Sequence, residues 1–176
     1  MPNSVLDIVD TAIKIGLGAL ITSAGSYLLS KQTHDREAKK ERINKEREIL
    51  EKVAEEFETF SYAVFSYWAL HSEWNNRKVA GKPLPEERQK LFDEARRDYF
   101  VKAQNLTNAE AKLLLLGQIE AQAKLREFAD LLIEYRKHVF ERLTHYEQDE
   151  LKEWRRKILE ARKNFFDSLS SAFTNL

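Results

Sequence analysis

VLDIVDTAIKIGLGALITSAGSYLLS, residues 5–30, is the one stretch of this chain that does not read as water-soluble. From Ile15 to Ser30 it carries no charge. As a helix that part spans about 24 Å, short of the roughly 30 Å hydrocarbon core of a bilayer. The missing length comes from Val5, Leu6, Ile8, Val9 and Ile13. Asp7, Asp10 and Lys14 then approach the interface, where Asp10 and Lys14 share a helix face and Lys14 can extend towards headgroups. At the other end Tyr27 suits an interfacial aromatic and Lys31 closes the span.

Basic residues set the expected orientation. Lys14 alone precedes the apolar core, whereas Lys31, Arg36, Lys39, Lys40, Arg42, Lys45 and Arg47 follow it. The positive-inside rule therefore places the N-terminus outside and the C-terminal part in the cytoplasm.

Three other readings compete with a span. A cleaved signal peptide fits poorly, because Asp7 and Asp10 stand where a basic start belongs, although Thr22-Ser23-Ala24 resembles a cleavage site. An interfacial helix would set Leu6, Val9, Ile13, Leu17, Leu20, Ala24 and Leu28 against a stripe of Asp7, Thr11, Lys14, Gly18, Thr22 and Gly25. A buried helix of a soluble protein is the third. The spanning helix is the preferred reading. Its small residues Gly18, Thr22, Gly25 and Ser26 lie on one side and suit close helix–helix contact, so self-association in the membrane is expected.

The 176-residue chain as a whole is 33% charged, with 29 basic and 29 acidic side chains and no net charge. That balance argues against a dedicated nucleic-acid binder. With no cysteine there is no disulfide framework, thiolate metal site or cysteine nucleophile. Five glycines and three prolines leave few helix breaks, so the expectation is all-α.

Residues 31–48, KQTHDREAKKERINKERE, have only Ala38 and Ile43 as apolar members. Asp35 with Lys39, Glu41 with Lys45 and Glu48 with Lys52 support a solvated helical stalk. Its basic residues are also placed to touch anionic lipid headgroups.

From residue 49 the pattern changes. Leu50, Val53, Phe57, Phe60, Val64, Tyr67, His71 and Trp74 recur at steps of three and four, a seam for packing against other helices. Tyr62, Phe65 and Trp68 widen the apolar arc. Phe57, Phe60, Phe65, Trp68 and Trp74 are therefore a core face or a partner face, with core the first expectation. His71 among them reads as a satisfied core histidine.

Gly81, Pro83 and Pro85 mark a loop, and Pro85-Glu86-Glu87 a helix start. The next helix sets Leu91, Ala95, Tyr99 and Ala103 or Leu106 on one face. Thr107-Asn108-Ala109-Glu110 and Thr144-His145-Tyr146-Glu147 match capping boxes and serve as boundaries. A helix over 108–143 then turns Leu114, Ala121, Leu125, Phe128, Leu132, Tyr135 and Val139 inward. A helix over 146–172 turns Leu151, Trp154, Ile158, Ala161, Phe165 and Leu169 inward. The region 104–108 is a reversal, giving four helices, or a kink, giving three. The expected layout is a transmembrane helix over 1–30, a stalk over 31–48 and an antiparallel bundle of three to four helices over 49–176.

Chemistry-bearing patterns are sparse. No Gly-rich phosphate loop, Glu-x-x-His or His-Glu-x-x-His occurs. Glu134, His138, Glu141 and His145 step along one helix face, but the two histidines lie about 10 Å apart along the axis, too far to share a metal unaided. Arg155, Arg156, Lys157, Arg162 and Lys163 are interleaved with Glu150, Glu153 and Glu160, which reads as a charged face. No catalytic, cofactor or metal residue is assigned. The function expected is a non-enzymatic scaffold at the cytoplasmic face, with membrane lipid, copies of itself and an unknown protein as partners. The alternative is a membrane-active oligomeric effector of toxin or phage-exclusion type, its N-terminal helix assembling in the bilayer.

Overall fold

The computed structural model describes the backbone of residues 5–141 and 148–176, and side chains at 30, 33, 34, 36–138 and 149–176. The described residues form four helices and no strand: α1 (Val5–Val79), α2 (Glu86–Leu115), α3 (Ile119–Glu141) and α4 (Gln148–Thr174). They divide into two compact units, Met1–Lys45 and Glu46–Leu176.

In the first unit the side chains described between Ser30 and Lys45 are exposed apart from a half-buried Ile43. Lys45 Nζ meets Glu41 Oε1 at 2.6 Å, one of the expected four-apart pairs. That contact lies in solvent, where water and salt screen it.

The second unit is a four-helix bundle made by α2, α3, α4 and α1 from Glu46 onward. Three sets of contacts give its topology. Glu56 with Lys112, Phe60 with Tyr99 and Glu73 with Arg88 run α2 antiparallel to α1. Arg47 with Phe173, Phe57 with Phe165 and Trp68 with Leu151 run α4 antiparallel to α1. Glu110 with Arg126 and His138 with Glu150 join α3 antiparallel to α2 and to α4. α3 is thus diagonal to α1, and Phe57–Phe128 at 4.8 Å crosses the centre. Short connections between long amphipathic helices make this up-and-down order the simplest way to cover every seam.

The α1 seam is buried as its spacing predicts: Leu50, Val53, Phe57, Phe60, Val64, Tyr67 and His71 are each at most 5% exposed. Facing them are Leu125, Phe128, Leu132 and Tyr135 of α3 and Leu151, Ile158, Phe165 and Leu169 of α4. Burying a side chain of this size stabilises the fold by about 1.5–3 kcal/mol.

Two helices end in the same way. After α1, Gly81 (φ 66°) lets Lys82 N donate to Arg77 O at 2.8 Å and Gly81 N to Lys78 O at 3.0 Å. After α2, Gly117 (φ 68°) lets Gln118 N donate to Leu113 O at 2.9 Å and Gly117 N to Leu114 O at 3.1 Å. Each is a Schellman closure, which needs a residue in the left-handed region and so favours glycine.

The second closure corrects the expected reversal at Thr107. Thr107 and Glu110 lie inside an unbroken α2, and the chain turns ten residues later, at Gly117. Moving the turn shifts the buried register. Leu113 is fully buried and Leu114 is 52% exposed, the reverse of the expectation for Leu114. On the same helix Leu91 is 40% exposed, and Phe92 packs against the core instead. Pro85 caps α2 rather than opening it: its carbonyl accepts from Gln89 N at 2.9 Å. The expected capping box at Thr144–Glu147 lies outside the described residues.

Candidate interaction surface

The five aromatics expected to form a core or partner face are all taken into the bundle. Phe57 and Phe60 are core, 0% and 2% exposed. Phe57 stacks among Phe128, Phe165 and Phe166, with ring centres 4.8, 4.1 and 5.3 Å away. Phe65, Trp68 and Trp74 are half-buried along its edges. Trp68 Nε1 donates to the Leu151 carbonyl at 3.1 Å, and the Arg155 guanidinium lies 5.5 Å from its ring centre. Trp74 carries the Lys78 ammonium 4.7 Å from its ring. These are the amphipathic contacts expected of an aromatic at a wet seam.

Where α1, α2 and α3 converge, His71 is 2% exposed. Its ring stacks with Tyr67 at 6.1 Å, Trp74 at 5.8 Å and Phe92 at 6.4 Å, and meets Tyr135 edge-on at 6.3 Å. The Tyr135 hydroxyl lies 3.3 Å from His71 Nδ1. Burial lowers the imidazole to about 4, so it is neutral at physiological pH. A neutral histidine closed in by aromatics holds helices together; it does not meet solutes. Asn75, one turn on, is fully buried as well.

Of the four-residue set, Glu134 and His138 have described side chains. His138 Nε2 meets Glu150 Oε1 of α4 at 2.5 Å, a carboxylate from another helix. Glu134 is exposed. The side chains of Glu141 and His145 lie outside the described residues. No group of three or more His, Asp or Glu among the described residues could hold a metal ion.

The α4 basic cluster is largely neutralised where it stands. Arg156 bridges Glu153 at 2.7 Å and Glu160 at 3.0 Å, Lys163 meets Asp167 at 2.6 Å, and Arg162 meets Glu58 at 2.6 Å. Arg155 and Lys157 lie over the Trp68 and Trp154 rings instead, 5.5 and 5.1 Å from the ring centres.

The outer faces hold apolar side chains, among them Tyr62 and Leu91, which the periodicity counted towards the inward faces. Tyr62 is 70% exposed and borders a groove of about 400 Å³ between α1 and α2, whose apolar side is Ala63, Leu70, Leu91 and Ala95 and whose polar side is Ser66, Glu94, Arg97 and Asp98. A second groove of about 570 Å³ runs beside Trp68, Ser72 and Asn76. Leu115 is 79% and Ile119 64% exposed at the α2–α3 turn. A surface leucine alone is ordinary, but several around a groove mark a surface able to take a partner.

Gly18, Thr22, Gly25 and Ser26, expected to mediate helix association in a membrane, lie within α1, and their side chains are outside the described residues. The membrane-helix expectation rests on the same stretch. Among the described residues no helix is long and apolar enough to cross a membrane. No protein-family model matches the chain, and neither a curated protein nor a solved structure matches it.

Proposed function

We propose that this chain is a membrane-tethered, non-enzymatic helical interaction module. Residues 1–30 are the anchor, with the N-terminus outside. The charged segment after them is a spacer, and the four-helix bundle is a cytoplasmic head that recruits or scaffolds a protein partner. One observation supports this reading above the others: packing changes abruptly within α1. Up to Lys45 the described side chains are almost all exposed, and from Leu50 every third or fourth residue is fully buried. A segment with no apolar face contributes distance rather than core, which suits a spacer between a bilayer and a folded head. The groove beside Tyr62 and Leu91 is the surface offered to the partner.

Carbonate extraction of membranes tests the reading. The full chain stays in the membrane pellet at high pH, and a chain lacking residues 1–30 moves to the supernatant. Release of the full chain by carbonate overturns the spanning anchor.

A further inference from the structure

The inward side chains of α2 include Phe92, Ala95, Tyr99, Leu106, Ala109, Leu113 and Leu116. One residue before each of these runs a second stripe: Leu91, Glu94, Asp98, Asn105, Asn108, Lys112 and Leu115, completed near its middle by Val101. Its steps alternate between three and four, the spacing of a helix–helix seam. None of these side chains is buried: Val101 is 66% exposed, and the most covered, Asn105 and Lys112, are half-buried.

The two ends of the stripe differ in shape. Leu91, Glu94 and Asp98 line the groove beside Tyr62. At the other end Leu115 is the most exposed large apolar side chain among the described residues. One helix face thus carries a hollow and a knob, with Leu91 and Leu115 about 36 Å apart.

The order of the stripe makes it complementary to itself. Turned about a two-fold axis at Ala103, it meets a second copy antiparallel: Leu91 faces Leu115, Glu94 faces Lys112, Asp98 faces Asn108 and Val101 faces Asn105. A parallel alignment sets Glu94, Asp98 and Lys112 each against its own copy, so charge selects the antiparallel one. The donors suit it. Lys112 Nζ reaches the two Glu56 oxygens at 2.5 and 2.7 Å, which leaves its third N–H for Glu94 of the second copy. Asp98 takes Lys102 on one oxygen at 3.1 Å, and its other oxygen can accept from the Asn108 amide of the second copy.

We propose that a second copy of this chain docks antiparallel along the Leu91–Leu115 stripe of α2, with Leu115 of each copy seated in the groove of the other. This names the partner of the groove and rests on its assignment above as a partner surface.

Disulfide trapping of the full chain in detergent tests it, helped by the absence of any native cysteine. Within one chain, positions 91 and 115 are far beyond disulfide reach, so a bridge joins two copies. Under mild oxidation the Leu91→Cys/Leu115→Cys chain forms a covalent dimer. A mixture of Leu91→Cys and Leu115→Cys chains does so too, and neither alone does. Adding Val101→Lys slows the bridge about tenfold by placing a charge within the seam, whereas Ile133→Lys, on the exposed face of α3, leaves it unchanged. An unlinked double variant, equal linking by the single variants, or indifference to Val101→Lys overturns the pairing. A photoreactive benzoylphenylalanine in place of Tyr62 separates this from the groove assignment. Its adduct with a second copy supports the pairing. An adduct only with another protein overturns the pairing and keeps the groove as a partner surface; no adduct overturns both.

Discussion

Tyr135 of α3 and His71 of α1 meet across the diagonal of the bundle, hydroxyl to Nδ1 at 3.3 Å, in a place where both are almost fully buried. The sign of the resulting pH dependence follows from burial. The folded chain keeps His71 neutral down to about 4, against an ordinary value of 6.5 that the unfolded chain retains. Between those values the unfolded state binds more protons, so stability falls as pH drops from about 6.5 towards 4. At full effect the loss is about 3 kcal/mol. Glu73 is held below the usual carboxylate range by its hydrogen bond to Arg88. Urea midpoints at pH 7.5, 6.5 and 5.5 check this. The wild type loses midpoint with acid, and His71→Gln, less stable at pH 7.5, has a flatter profile. A flat wild-type profile contradicts the buried neutral imidazole.

Phe57 is the centre of the core, touching rings on α3 and α4. Phe57→Ala costs about 3–5 kcal/mol, because it opens a cavity that four helices cannot all close. Tyr62, five residues on and 70% exposed, costs within about 0.5 kcal/mol when replaced by alanine. Denaturant unfolding of the full chain separates the two. Equal losses would mean that the α1 face is assigned to the wrong side.

The position of the α2–α3 reversal has a paired test. Gly117→Ala forces a Cβ into the left-handed region and costs about 1–2 kcal/mol, although nothing lies within 4 Å of that Cβ. Gly117→Asn costs less, since asparagine tolerates that region. Thr107→Ala is neutral or slightly stabilising, because Thr107 is inside a helix and alanine is the better helix former. A loss of about 1 kcal/mol at Thr107 would restore the capping box as a true helix start.

Among the described residues, Ser61 Oγ is the one buried side-chain atom left without a hydrogen-bond partner. An unsatisfied buried hydroxyl costs about 1–3 kcal/mol. Ser61→Ala therefore stabilises the bundle by about 1 kcal/mol, read as a rise in melting temperature of about 2–4 °C. A destabilised variant would show that the hydroxyl has a partner in solution.

For the proposed anchor, Gly18→Leu/Gly25→Leu blocks close approach of neighbouring helices. The detergent-solubilised chain then runs as a smaller oligomer by light scattering. The same change abolishes dye entry into cells expressing the chain if assembly of this helix forms a leak. An unchanged oligomer size removes the small-residue interface.

The inward faces of α1 and α4 could be read from the sequence, because large apolar residues at steps of three and four have only one side on which to gather. The α2–α3 boundary could not. A threonine followed by glutamate three residues later has the form of a cap yet occurs inside helices too, and only the burial of Leu113 and the closure at Gly117 decide between them. The run Leu113 to Leu116 offers several registers, and the turn at Gly117 selects one. The groove beside Tyr62 was invisible for a related reason. It joins residues from α1 and α2, so it exists only once the neighbours are placed. Exposure of Tyr62 is of the same kind: the apolar arc of α1 is wider than its neighbours cover.

The contact of Arg47 with Phe173 sets an order of events during synthesis. The first and last stretches of the bundle are side by side, so the fold closes only when the C-terminal helix has left the ribosome. Residues 5–30 emerge long before then. Until then the seam from Leu50 to His71 is bare and prone to sticking to other chains. In the anchored reading proposed above, residues 1–30 would meet the bilayer while the head is still open.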